Sequence, residues 1–124
     1  MRRLMTIAII SIIALAASAQ VRTVSGVGIV ARPQGYYGRC PARIDFVATI
    51  HVNRYPTRVT YEWLRSDGAR GAREIVDIRT SSRAVRTTWS LGGGHDRLRV
   101  WEQLHVVAPS NVRSPHAVVH VNCR

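Results

Sequence analysis

From Arg43 to Val52 the chain alternates with period two. Ile44, Phe46, Ala48, Ile50 and Val52 fall on one side, and Arg43, Asp45, Thr49 and His51 on the other. Successive side chains of a strand point to opposite faces, so this stretch predicts a half-buried β-strand. Asn53-Arg54-Tyr55-Pro56 breaks it. Val59, Tyr61 and Trp63 then alternate with Arg58, Thr60 and Glu62, and Asp67-Gly68 after Ser66 supplies a tight-turn signal. A weaker strand runs over 74–79. Another runs over 83–91, with Val85, Thr87 and Trp89 in step, until Gly92-Gly93-Gly94 stops it. Segments 98–107 and 117–123 read as the last strands, separated by Pro109, Asn111 and Pro115. Upstream, Val21 to Val30 reads as a strand loosened by Gly26 and Gly28. Arg32-Pro33-Gln34-Gly35 and Gly38 then mark a loop carrying Tyr36 and Tyr37. About seven short strands with punctuation every 8–12 residues predict an all-β fold, a two-sheet β-sandwich.

Ahead of this pattern stands a stretch of another kind. Arg2 and Arg3 precede an apolar run, Leu4 to Ala17, interrupted only by Thr6 and Ser11, and Ala17-Ser18-Ala19 is a small-x-small site. These are the parts of a signal peptide over residues 1–19, cut before Gln20, with one domain over 20–124. The run is shorter than the ~20 apolar residues of a spanning helix, and no later segment is apolar enough to span. No cysteine follows the cut site, which argues against a lipid anchor. The expected location is extracytoplasmic, periplasmic or secreted, where thiols meet an oxidising environment.

Charge narrows the partners. All 18 basic residues are Arg; without Arg2 and Arg3, 16 face 7 acids, a formal +9. Such a field draws a protein toward anionic surfaces, and the partners expected are an anionic polysaccharide, lipopolysaccharide or an envelope protein, while nothing points to a specific nucleic acid. A GC-rich genome, which favours Arg codons, explains the same excess equally well. Oligomeric state is not legible.

The chain holds two cysteines, Cys40 and Cys123. In an exported domain a disulfide is the natural reading; free thiols or metal ligands compete weakly, because no CxxC spacing is present. Closing a loop of this length is worth roughly 4–5 kcal/mol in the chain-entropy picture. Parity agrees with a disulfide: Cys40 is in step with Ile44 and Phe46, and Cys123 with Ala117, Val119 and Val121.

Cys40-Pro41-Ala42-Arg43-Ile44-Asp45-Phe46, the run from Val59-Thr60-Tyr61-Glu62-Trp63 to Ala69, Trp89-Ser90-Leu91-Gly92, Trp101-Glu102-Gln103-Leu104 and Ser114 to Cys123 together resemble a secreted bacterial immunoglobulin-like module. The likeness covers residues 40–124. It implies an Ig-like sandwich with Trp63 in the core and a disulfide from an early strand to the last. It carries little about function, because such sandwiches host many roles. A looser similarity is to Ig-like inhibitors of papain-type proteases. The Gly-rich loop is present, the Asn-Pro-Thr-Thr-Gly and Arg-Pro-Trp loops are not, and Asn53–Thr57 is only loosely alike.

The acids are scattered singly, and no Gly-x-Ser-x-Gly elbow occurs, so the pattern points away from an enzyme and names no cofactor. His116 and His120 on one strand would lie about 13 Å apart, too far to share an ion. The Gly92–Gly94 run lacks the Lys-Ser/Thr and helix of a phosphate loop and reads as a flexible hairpin. The surface candidate is Arg97, Arg99 and Trp101, which share a strand face that His105 continues, with Arg58 or Arg86 available from a neighbouring strand. Guanidinium beside an aromatic ring suits anionic sugars or phosphates. Glu102, however, falls on the apolar parity, and a bulge near Trp101 would turn the indole inward. The expectation is therefore a non-catalytic binding or adhesion module. The alternatives are an inhibitor using the turns at Tyr36-Tyr37, Asn53–Thr57 and Gly92–Asp96, and a purely structural envelope domain.

Overall fold

The structure, a computed structural model, describes residues 11–12 and 22–124. The leader read over residues 1–19 lies outside the described residues, apart from 11 and 12. Among those described, no helix is long and apolar enough to cross a membrane.

The domain is all-β. Among the described residues it has nine strands: β1 (Val24–Arg32), β2 (Gly35–Gly38), β3 (Ala42–Val52), β4 (Thr57–Arg65), β5 (Glu74–Ile78), β6 (Ser82–Leu91), β7 (Arg97–Ala108), β8 (Val112–Arg113) and β9 (Ala117–Cys123). They form two sheets. One has three strands in the order β1-β3-β6; the other has the order β2-β9-β7-β4-β5, with β8 paired to β7 off that path. All pairs are antiparallel except β2 with β9. Two strands exceed the seven expected. Gly35-Tyr36-Tyr37-Gly38 has no apolar alternation to announce it and is a strand because β9 supplies a parallel ladder from Gly35↔His120 to Gly38↔Cys123. β8 is a two-residue addition to the outer part of β7.

The core is the meeting of the two inner faces. β3 delivers Ala42, Ile44, Phe46, Ala48 and Ile50, all fully buried, along the parity its sequence displays. Val59, Tyr61 and Trp63 of β4, Leu104 and Val106 of β7, and Val119 and Val121 of β9 face them. Each of the larger side chains, such as Ile44, Phe46 and Ile50, contributes about 1.5–3 kcal/mol by leaving water, which is why the register of β3 is set: a one-residue slip would expose the whole row.

Cys40 and Cys123 are joined, with their Cα atoms 5.5 Å apart and a sequence separation of 83. The bond ties the lead-in of β3 to the end of β9. The glycine run packs directly against it. Gly92 has φ +83°, and a Cβ there would sit 2.6 Å from Cys123 Sγ and 3.1 Å from Cys40 Sγ. The turn is pinned by Asp96: Gly93 N–H donates to Asp96 Oδ2 (3.0 Å), Asp96 N–H to the Gly93 carbonyl (3.1 Å), and Cys123 N–H to the Asp96 carbonyl (2.8 Å). The flexible hairpin expected at this place is thus a braced turn, with glycine required at Gly92 by backbone and disulfide together.

Candidate functional site

β7 runs in unbroken register along β9, from Arg97↔Asn122 through Arg99↔His120 and Trp101↔Val118 to Glu102↔Ala117. With no bulge in this stretch, Arg97, Arg99 and Trp101 stay on the outer face while Leu98, Val100 and Glu102 turn inward. Arg97, Arg99, His120 and Asn122 are exposed. The β2 ladder adds Tyr37 in line with Asn122. Trp101 is half-buried because His116 lies flat on it, ring centroids 3.7 Å apart and planes within 5°. Its backbone is held as well: Trp101 N–H donates to Ser66 Oγ (3.1 Å), and its carbonyl accepts from Ser66 N–H (3.0 Å).

At the Arg97 end lies a hollow of about 410 Å³ walled by Tyr37, His95, Arg97, Asn122, Cys123 and Arg124. No acid lines it. The Arg124 guanidinium sits 5.7 Å from the Tyr37 ring centroid. Among the described residues, Arg97, Arg99 and Arg124 pair with no carboxylate, as is also true of Arg22, Arg32, Arg39, Arg54, Arg79, Arg83, Arg86 and Arg113; what sets these three apart is that they gather at one end of the β7–β9 face. Two residues apart on a strand, Arg97 and Arg99 lie about 7 Å apart and repel by about 0.6 kcal/mol in water. An anion seated between them would remove that repulsion.

The other expected members are placed differently. Arg58 is on β4, paired to Asp77 at 3.1 Å at the end of the sheet remote from Arg97, and Arg86 belongs to the other sheet. Neither joins the patch. His105 shares the outer face but is withdrawn beneath the segment around β8, 7% exposed. Its Nδ1 meets Glu62 Oε1 at 3.0 Å and its Nε2 meets Asn111 Oδ1 at 2.7 Å. Both ring nitrogens face oxygens, which a singly protonated ring satisfies only if Asn111 turns its amide. The His105 hydrogen bond holds the Glu62 carboxyl below the usual carboxylate range. Burial opposes this, and Arg70 and Arg73 reinforce it. A Glu–His pair of this kind can orient a base, but its third member is an amide, and the nearby Ser114 Oγ is committed to Leu104 N–H and the Pro115 carbonyl. Chemically the group is a brace that ties Asn111, in the connection between β7 and β8, down onto the sheet.

On the inner face, Glu102 is fully buried against Arg65, whose Nε lies 3.3 Å from Glu102 Oε1 and whose guanidinium covers the Trp89 ring at 4.6 Å. Burial pushes the Glu102 carboxyl up, with Arg65 opposing. Its Oε2 has no partner. Among the described residues no group of three or more His, Cys, Asp or Glu is arranged to hold a metal ion. No protein-family model and no curated protein matches this chain.

Tyr37, His95, His120, Asn122 and Arg124 are the surface residues that reading β7 alone misses. His120, Asn122 and Arg124 carry a signal, since they alternate with Val119, Val121 and Cys123. Tyr37 carries none, because only the parallel pairing brings it there.

Proposed function

We propose that this domain is an exported, non-catalytic, immunoglobulin-like binding module that engages an anionic envelope polymer, an acidic polysaccharide or lipopolysaccharide, through the outer face of β7 and β9. The observation that carries this reading is the gathering of cations without ion pairs: Arg97 and Arg99 on one strand face, and Arg124 beside Tyr37, with a hollow that Arg97 and Arg124 line and no Asp or Glu side chain does. Arg97 and Arg99 supply the paired positive charge, Trp101 with His116 gives a flat face at the far end, and His105 acts from beneath by holding Asn111 of the connection between β7 and β8. The leader supports export. The early-to-last-strand disulfide and two stacked sheets support the Ig-like assignment.

Retention of the disulfide-bonded domain on heparin and on lipopolysaccharide, measured against salt, tests this. Each arginine that displaces a condensed counterion contributes close to one unit to the slope of log affinity on log salt. Arg97→Ala with Arg99→Ala is therefore expected to lower that slope by about two, at unchanged stability. No retention at low salt removes the proposal. Inhibition of a papain-type protease by the same protein would favour the inhibitor reading instead.

A further inference from the structure

The smaller sheet ends in an open edge along β6. We infer that this edge takes an extended acidic segment of another protein, which adds to β6 as a fourth, antiparallel strand.

Three observations carry it. The first is the main chain. β6 pairs with β3 from Ala42↔Leu91 to His51↔Ser82 without a shift, and just beyond that ladder Val52 N–H donates to the Ser81 carbonyl at 2.9 Å. Hydrogen-bonded and non-hydrogen-bonded pairs alternate along an antiparallel ladder. Arg83, Val85, Thr87 and Trp89 therefore bond to β3, while Ala84, Arg86, Thr88 and Ser90 turn their N–H and C=O groups away from it. β6 has no other neighbour in its sheet, and among the described residues nothing else bonds to those groups. Such a row is a template for another strand. The other edges are blunted, β1 by a register shift at Gly26 and β2 and β5 by lengths of four and five residues. β6 runs for ten residues with no glycine or proline.

The second is room. The Arg65 guanidinium against the Trp89 ring places β6 over β4, so β5, the next strand out, has no strand stacked on it. Val76, in line with the buried Val59 on the inner face, is accordingly only half-buried. A fourth strand on β6 would lie over β5 and cover Val76. A second copy offering its own β6 would bring its β4 and β5 to the same side of the joined sheet, into the space that β5 fills. The occupant is therefore a lone extended segment. The third is charge. Side chains opposite Ala84, Arg86, Thr88 and Ser90 would share the outer face with Arg86, which pairs with no carboxylate. The acids nearby are engaged: Asp45 by Thr88 Oγ1 (2.9 Å) and Arg43 (3.9 Å), Asp77 by Arg58 (3.1 Å), and Glu74 by the Tyr61 hydroxyl (2.7 Å). Carboxylates at alternate positions of the added strand match what is left.

Hydrogen exchange and amide NMR shifts of the disulfide-bonded protein test this, with an end-capped, alternating Val-Glu octapeptide as the probe. Its Val-Lys counterpart and a Val-Glu peptide N-methylated at every glutamate are the controls. In the free protein the Arg86 and Thr88 amides should exchange quickly and the Val85 and Thr87 amides slowly. The Val-Glu peptide should bind saturably and protect Ala84, Arg86, Thr88 and Ser90, and both controls should bind about tenfold more weakly or less. Thr88→Pro removes an outward N–H and no bond to β3, and should abolish binding. Arg86→Glu should reverse the preference between the Val-Glu and Val-Lys peptides, and it decides the matter if Thr88→Pro fails to fold. Arg97→Ala with Arg99→Ala should change nothing, which separates this edge from the anion face. Absence of saturable binding, equal binding by either control peptide, or an unchanged preference in Arg86→Glu would each overturn the assignment. So would self-association of the free protein that protects the same four amides, which would give the edge to a second copy.

Discussion

The glycine run offers a test with its controls built in. At Gly92 an alanine meets two penalties: φ is +83°, and the new Cβ would lie 2.6 Å from Cys123 Sγ. The left-handed backbone costs an L-residue about 1–2 kcal/mol, and forcing a methyl into packed surroundings costs about 1–3 kcal/mol more. Gly94 shares only the first penalty, with φ +55° and nothing within 4 Å of its Cβ position. Gly93 has neither, since its φ is not positive and its Cβ position is open. The expected order of unfolding free energies is therefore Gly93→Ala near or slightly above wild type, Gly94→Ala lower by about 1–2 kcal/mol, and Gly92→Ala lower by about 2–5 kcal/mol. Urea denaturation of the three oxidised proteins measures this. The same substitution in a Cys40→Ala, Cys123→Ala background completes a double-mutant cycle: the contact part of the Gly92 penalty should shrink there, and the backbone part should stay. Equal losses for Gly92→Ala and Gly94→Ala would refute the close approach to the disulfide. Equal stability of Gly94→Ala and Gly93→Ala would refute the backbone argument.

Other outcomes follow from the same structure. Replacing Cys40 and Cys123 by alanine should cost roughly 4–5 kcal/mol in chemical denaturation, because the bond closes a loop between positions 83 apart in sequence. Ser114→Ala leaves the buried Leu104 N–H without its acceptor and should cost about 1–3 kcal/mol, with faster hydrogen exchange at that amide. The two buried glutamates should give opposite pH trends in denaturation from about pH 3 to pH 8. Glu62 is held low, so its stabilisation is present above the ordinary carboxylate range and lost in acid; Glu62→Gln should be most damaging at neutral pH. Glu102 is held high, so its contribution is lost as pH rises; Glu102→Gln should gain on wild type between acid and neutral pH. Parallel trends would contradict the two environments described. Tyr61, buried and donating to Glu74 at 2.7 Å, is pushed up to about 12, and ultraviolet titration of the folded protein should show a tyrosine ionising that late.

How much of this could be read from the chain depends on range. β3 is written plainly, because its two faces meet different media and period two follows. The parity of Cys40 and Cys123 is equally local, and the disulfide agrees with it. Arg97, Arg99 and Trp101 lie on the face their spacing assigns, because no bulge intervenes. Burial of that face is another matter. His105 has the right parity, yet the segment around Asn111 and Ser114 folds over it, and nothing near His105 in sequence announces that cover. Glu102 at an apolar parity was the visible anomaly, and its resolution lay not in a bulge but in Arg65, 37 residues away. Tyr37 is the furthest from legibility, since its place depends on a strand that has no pattern of its own.

The parallel seam between β2 and β9 joins one of the earliest strands to the last, and the cysteine bridge crosses at the same seam. Neither closure can occur until β9 is available. Until then β7 lacks one neighbour, and the inner side chains of β3 face an unfinished wall. Such long-range closure predicts slow folding, measurable as a refolding rate at the low end for domains of this size. Shortening it from the β9 side should abolish the folded state rather than trim it, whereas the β8 segment, attached by two residue pairs, can be altered without unmaking either sheet.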